Sequence, residues 1–167
     1  APIRGNVGIP SDRILPAHLF LAYYWTRQQD YDQARQVIAD AQALYPQNPL
    51  LLAEMGNVLS LSGDVRAAYE AYTQAISLAP GDPAYLRYAI RFSLTYNFEF
   101  EQVALPLARQ AVILAPNDSE TLDLMAQVLI RQGDLSNAER FVQRALQSQP
   151  DFAPARLSLG IIHLMRS

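Results

Sequence analysis

The chain has no cysteine, so disulfides and thiolate metal sites are excluded and the redox compartment leaves no trace. It has no lysine either: all thirteen basic residues are arginine, which removes Schiff-base and other lysine chemistry. Histidine occurs only twice, at His18 and His163, and tryptophan once. No apolar run approaches the eighteen or so residues needed to span a bilayer, so direct membrane insertion is not expected. The N-terminus lacks the charged start and hydrophobic stretch of a signal peptide. Positive charge is also scarce. A formal net charge of -3 and a pI near 5.3 give no electrostatic footprint for nucleic acid. There is no glycine-rich phosphate loop, no nucleophile elbow and no distinctive carboxylate pair. The acidic residues cluster at turns (Asp30, Asp64, Asp82, Asp118, Asp134), where capping accounts for them. An active site is therefore not expected, and neither is a cofactor or a metal. With Ala1 first and Ser167 in mid-repeat, the sequence reads as a piece of a longer polypeptide. Localisation is not legible, with the cytoplasm as the default expectation.

What is present is apolar material, half of the 167 residues, arranged with a long period. Prolines fall at Pro46, Pro80, Pro116 and Pro150, spaced 34, 36 and 34 residues apart. Ala34, Ala68, Ala104 and Ala138 keep the same rhythm, as do Ala41, Ala75, Ala111 and Ala145. Three residue sets that share one period and one two-residue excess define a repeat. Each unit divides into two helices. In the inter-repeat turns, Asn48 and Asp82 suit the N-cap, and Pro49 and Pro83 the first helical position. Within units, Gly63 and Gly133 suit a left-handed helix end, with the following Asp capping the next helix. The two alanines of each second helix are seven apart and share one face, so the first helix can approach closely. The divisions are 1–14 (an extended lead-in or linker), 15–48, 49–82, 83–118, 119–152, and a partial or capping helix at 153–167.

These units resemble the tetratricopeptide repeat. Its pattern is visible in Leu52, Met55-Gly56, Leu59, Ala68, Tyr72, Ala75 and Pro80. It recurs in Leu122, Met125-Ala126, Leu129, Ala138, Val142, Ala145 and Pro150, and in His18, Leu21-Ala22, Trp25, Ala34, Ile38, Ala41 and Pro46. The partial fifth unit keeps Leu159-Gly160, with Arg156 and His163 at positions usually apolar or aromatic. The resemblance covers about residues 15 to 167. It implies an all-α fold, a right-handed superhelical solenoid of antiparallel helix hairpins (an α-α superhelix) whose concave side is lined by the first helices. It also implies a non-enzymatic scaffold that binds a protein or peptide there. Carried over residue by residue, the groove contains Tyr23, Arg27, Asn57, Arg87, Arg91, Gln127 and Arg131.

The third unit departs from the pattern. Counted from Pro83, its first helix places Leu86, Ala89-Ile90 and Ser93 at the signature positions. Slipped by one, it places Tyr85, Tyr88-Ala89 and Phe92 there, and Arg87 and Arg91 leave the groove. Pro106 falls near the first turn of the second helix, where it delays or bends the helix. The aromatic residues Tyr85, Tyr88, Phe92, Tyr96, Phe98 and Phe100 read as core and hairpin packing. In the Pro83 register, Asn57, Arg87 and Arg91 match three of the five positions with which one branch of the family grips a C-terminal carboxylate. The other two are Leu19 and Tyr23, which cannot bind an acid by charge. The expectation is an anion-favouring groove centre suited to an acidic or carboxylate-bearing partner, with Asp123 as an alternative internal partner for the arginines. Charge reversal at both arginines is expected to weaken binding and leave helical content intact. The rival function is structural, a spacer or self-association through the C-terminal helix. There Leu157, Leu159, Ile161, Ile162 and Leu164 are expected to face an absent second helix.

Overall fold

The structure, a computed structural model, describes residues 11–167. The described residues form nine α-helices: α1 (Ser11–Arg27), α2 (Tyr31–Leu44), α3 (Pro49–Leu61), α4 (Val65–Leu78), α5 (Pro83–Tyr96), α6 (Phe100–Leu114), α7 (Ser119–Arg131), α8 (Leu135–Ser148) and α9 (Ala153–Arg166). No strand occurs among the described residues. Helix α1 begins at Ser11 and so takes in residues 11–14, which the sequence reading placed in an extended lead-in. Residues 1–10 of that lead-in lie outside the described residues. No helix among the described residues is long and apolar enough to cross a membrane.

The starts and stops follow from the turn chemistry. Asn48 caps α3 by accepting from the Leu50 amide at 2.9 Å, and Asp82 caps α5 by accepting from the Ala84 amide at 2.9 Å. In each, proline occupies the next position, where its missing N–H costs nothing. Asp30, Asp64, Asp118 and Asp134 cap α2, α4, α7 and α8 in the same manner. Gly63 and Gly133 close α3 and α7 with φ of 91° and 79°, a region that glycine enters without steric cost. The α1–α2 turn makes the same closure with Gln29 at φ 61°, and the α5–α6 turn with Asn97 at φ 53°. The two extra residues of the third hairpin lengthen α5 and α6 by one residue each, relative to α3 and α4, and leave its turn at the usual size. Pro106 sits inside α6 without delaying it, since the helix starts at Phe100.

The chain divides into two compact units, residues 1–71 and 72–167, with α4 crossing the division. In the first unit, α1, α2 and α3 pack on one another. Its core consists of Ala22, Ala34, Val37, Ile38, Ala41, Leu51 and Val58. In the second, each helix of the run α5 to α9 packs against the next, and α7 also touches α5 and α9. Its core holds Leu86, Ile90, Leu122, Met125, Ala126, Val142 and Ile162, together with the small residues Ala104, Ala111, Ala138 and Ala145. The alanines are fully buried, as their shared face requires, because a larger side chain there would hold the paired helices apart.

The register of α5 is the one that starts at Pro83. Leu86, Ala89, Ile90 and Ser93 are each no more than 1 % exposed, and they match Leu122, Met125, Ala126 and Leu129 on α7, also buried. Tyr85 and Tyr88, signature residues of the slipped alternative, are only half-buried. They belong instead to an aromatic cluster in which Tyr72 stacks with Tyr88 and packs on Phe92, and Phe92 meets Tyr96 and Phe98. The Ser93 hydroxyl donates to the Phe98 carbonyl at 2.6 Å, which ties the α5 end to its own turn.

Candidate functional site: the inner face of α5, α7 and α9

In the second unit, equivalent positions of the first helices converge on one face. Arg87, Arg91 and Leu94 come from α5, and Asp123, Gln127, Ile130 and Arg131 from α7. Counting from the helix starts, Leu157, Ile161, Leu164 and Met165 of α9 occupy the positions of Asp123, Gln127, Ile130 and Arg131. Two adjoining clefts open on this face. One, of about 460 Å³, is lined by Leu94, Ile130, Arg131, Leu157, Ile161 and Met165, with Gln127, Pro154 and Ser158. The other, of about 260 Å³, is lined by Arg91, Glu120, Asp123, Leu124, Gln127, Phe152 and Pro154. Gln127 and Pro154 form the wall shared by the two.

The arginines expected to draw an anion are already occupied. Arg87 bridges Asp118 at 3.1 Å and Glu120 at 3.0 Å, and Arg91 pairs with the other oxygen of Glu120. Asp123, the internal partner considered from sequence, takes no part. It is 2 % exposed, accepts from the Ser158 hydroxyl at 2.7 Å and accepts from the Gln127 side-chain amide at 2.8 Å. Its role is to pin α9 to α7 and to hold Gln127. Arg131 differs from the other two. It donates to the Leu94 carbonyl at 2.6 Å and to Asn97 Oδ1 at 2.9 Å, and its guanidinium lies over the Phe100 ring at 5.3 Å. Those acceptors are neutral. Its charge is therefore oriented but not matched by a carboxylate in these contacts, and it borders the apolar cleft.

Burial pushes the Asp123 carboxyl above its ordinary value of 3.8, and the hydrogen bonds from Ser158 and Gln127 only partly offset this. A carboxyl that holds its proton more tightly when folded favours the fold at acid pH. That advantage is lost as pH rises from 3.8 through the raised folded value. Asp123→Asn keeps the side-chain shape and an acceptor for Ser158, lets the Gln127 amide turn to accept from the new Asn N–H, and removes the buried charge. We expect it to raise stability at pH 7 by roughly 1 kcal/mol and to flatten the pH dependence above pH 4, as read by urea unfolding across pH. A variant less stable than wild type at pH 7 would count against this.

The first unit places Tyr23 and Arg27 on α1, both exposed, with Tyr23 at 61 %, and Asn57 on α3, half-buried. The Asn57 carbonyl accepts from the Ser60 hydroxyl at 2.8 Å, and burial raises the neighbouring Glu54 carboxyl, against a hydrogen bond with Asn57. His18 is half-buried and bonded through Nδ1 to the Ile14 carbonyl at 2.8 Å, as expected for a packed histidine. His163 is exposed instead, and among the described residues no helix follows α9 to cover it. No group of residues able to hold a metal ion occurs among the described residues.

The α9 residues on the inner face are what the sequence reading misplaced. The expectation turns Leu157, Leu159, Ile161, Ile162 and Leu164 toward an absent second helix, and of these only Leu159 occupies a position that would meet one. Ile162 is buried in the core and Leu159 packs against that core, while Leu157 and Ile161 line the cleft. The positions equivalent to those that meet α8 on α7 are Arg156, Leu159, Gly160 and His163, and three of these four are not apolar side chains. The signal was available, since the same counting that aligns Arg156 with Leu122 aligns Leu157 with Asp123.

A family model described as ChAPs (Chs5p-Arf1p-binding proteins) matches residues 17–151. The chain belongs to this family. Its units are tetratricopeptide-type helical repeats, and such repeats are in general protein-interaction scaffolds without enzymatic activity. A TPR repeat-containing protein of Pseudomonas aeruginosa is 27 % identical over 140 residues, covering 84 % of this chain and 24 % of the relative. The chain thus spans about a quarter of that protein's length. Among solved structures, PilW, a type IV pilus biogenesis factor, matches with a TM-score of 0.77 at 23 % identity, over 90 % of this chain and 69 % of its own. A TPR protein of Thermus thermophilus matches with a TM-score of 0.75 at 20 % identity, over 91 % and 82 %. These structures share the all-α, α-α superhelix fold class that the repeat pattern implies.

Proposed function

We propose that this chain is a protein- or peptide-binding scaffold segment whose principal contact surface is the inner face of α5, α7 and α9. The observation that carries the reading is the apolar cleft of about 460 Å³, which draws lining residues from all three of those helices and has an arginine at its border. Apolar anchors beside an oriented arginine are the composition on which binding energy concentrates. Arg91, Gln127 and Arg131 frame this face, and Arg87 supports it through its acid partners. Tyr23, Arg27 and Asn57 are proposed as a contact surface of the first unit.

The absence of native cysteine permits a direct test. A photo-crosslinker attached at Ile161→Cys should yield adducts with partner proteins, while one at Gln110→Cys, on the exposed side of α6, should yield few. Equal yields from both positions would sink the inner-face assignment. The second reading is self-association through α9, favoured by the exposure of Leu157 at 68 % and Leu164 at 77 %. Sedimentation velocity on the wild type and on Leu164→Glu tests it, since a concentration-dependent dimer abolished by the substitution is its expected sign.

A further inference from the structure

We infer that the larger cleft recognises a large aliphatic side chain immediately followed by an acidic side chain in a partner polypeptide, with Arg131 as the group that reads the acid. This rests on the inner-face reading above and gives it a chemistry. Three observations support it.

The apolar half of the requirement comes from the lining. Leu94, Ile130, Leu157, Ile161 and Met165 present aliphatic surface around a space of about 460 Å³, enough for a leucine or isoleucine side chain and its adjoining backbone. Met165 adds an unbranched side chain able to adjust to the shape of the occupant. Ser158 and Gln127 also line this space, and both are held by Asp123, so the floor is fixed before a ligand arrives.

The acidic half comes from the charge balance. On this face Arg87 and Arg91 share Asp118 and Glu120, two cations against two anions, and so offer an incoming acid little net attraction. Arg131 is bonded to a backbone carbonyl and an amide oxygen and rests on an aromatic ring. A guanidinium has five N–H donors, so the two bonds in place leave donors for a carboxylate. Its orientation is set by Leu94, Asn97 and Phe100, so little side-chain entropy remains to be lost on binding. Because Arg131 itself lines the cleft, the acid must lie close to the anchor, and the adjoining residue is the shortest spacing that supplies one.

The third observation is positional. At the places on α9 that correspond to Asp123 and Gln127, the sequence has Leu157 and Ile161, so the face is polar toward α5 and apolar toward α9. An occupant whose aliphatic group points to α9 and whose acid points back to Arg131 at the end of α7 satisfies both.

The probe is a minimal one, N-acetyl-leucyl-glutamate amide, titrated into the isotope-labelled 167-residue chain and followed by amide chemical shifts. N-acetyl-leucyl-glutamine amide and N-acetyl-seryl-glutamate amide serve as comparisons, and N-acetyl-leucine with a free carboxylate distinguishes a polypeptide terminus as the source of the acid. The expected result is saturable shifts at Ile130, Arg131, Leu157 and Ile161 at millimolar probe. Affinity should fall at least threefold when Glu becomes Gln, and further when Leu becomes Ser. In Arg131→Gln the Glu and Gln probes should bind alike, while the unshifted remainder of the spectrum reports an intact fold. Raising the salt concentration should weaken the Glu probe and not the Gln probe. Equal binding of the Glu and Gln probes to the wild-type protein overturns the assignment of the acid to Arg131. Shifts that avoid the cleft, or tighter binding of N-acetyl-leucine than of the dipeptide, overturn the proposal as stated. None of these outcomes touches the crosslinking test, so the broader inner-face reading stands or falls separately.

Discussion

Arg87→Glu combined with Arg91→Glu is expected to destabilise the second unit by about 2 kcal/mol or more, and any loss of partner binding should follow from that. The sequence alone suggests otherwise, a pair of groove cations whose reversal weakens binding while leaving helical content intact. The difference lies in Asp118 and Glu120, which already hold both side chains. Reversal would place four carboxylates on one face of α5 and α7. The Arg87 contribution dominates because its side chain is 20 % exposed, whereas Arg91, at 49 %, is screened by solvent and adds less. The pH profile identifies the cause. For Asp118, burial works to raise the carboxyl, but the hydrogen bonds from the Thr121 hydroxyl and amide and the charge of Arg87 outweigh it, so the net shift is downward. A carboxyl depressed in this way stabilises the fold above its ordinary value of 3.8 and loses that contribution as pH falls through the folded value. The double variant should reverse the sign and regain stability on mild acidification as the crowded acids protonate. Chemical denaturation at pH 4.5 and pH 7 measures both. A variant as stable as wild type at pH 7 would show that the ion pairs contribute nothing and would return the arginines to the groove as free cations.

The second large effect is expected from Ala138→Leu combined with Ala145→Leu. Both alanines are fully buried and seven residues apart on α8, on the face that packs along α7. Leu122, Met125 and Ala126 of α7 belong to the same core, so three more carbons at each site must push against them. Overpacking typically costs about 1–3 kcal/mol per site, so the pair should lower stability by roughly 4 kcal/mol. Moreover, Ser119 donates to the Ala145 carbonyl at 3.1 Å, so pushing α8 away would also break a buried hydrogen bond at the start of α7. Thermal unfolding followed by far-ultraviolet dichroism gives the measurement. The control is Gln143→Leu, a substitution at an exposed position of the same helix, which should change little. Equal midpoints for the buried and exposed substitutions would show that the small residues are not what sets the helix spacing.

Most of the local architecture was legible because short-range chemistry decides it. Asn48 and Asp82 with the prolines that follow, Gly63 and Gly133 at left-handed positions, and alanines seven apart each act within a turn or two of helix, so their spacing alone locates the hairpins. The register of α5 was not decidable in this way. Leu86, Ala89, Ile90 and Ser93 fit the pattern less well by residue type than the slipped aromatic set. Only packing against α6 and α7, which buries the first set and leaves Tyr85 and Tyr88 half-buried, separates the two.

The repeat pattern by itself determined that the chain is built of helical hairpins and which positions of each first helix share a face. Those follow from period, caps and small residues, all of which are local. Only the tertiary structure decided which charges on that face are spent. Arg87 and Arg91 reach residues about thirty positions away, at the start of the next first helix, and nothing in the spacing distinguishes them from Arg131, whose partners are neutral. It also decided the role of α9, where Leu159 and Ile162 pack in the core and Leu157 and Ile161 line the cleft. An apolar side chain reads alike in sequence whether it faces a neighbouring helix or an open cleft, and only the packing around it tells the two apart.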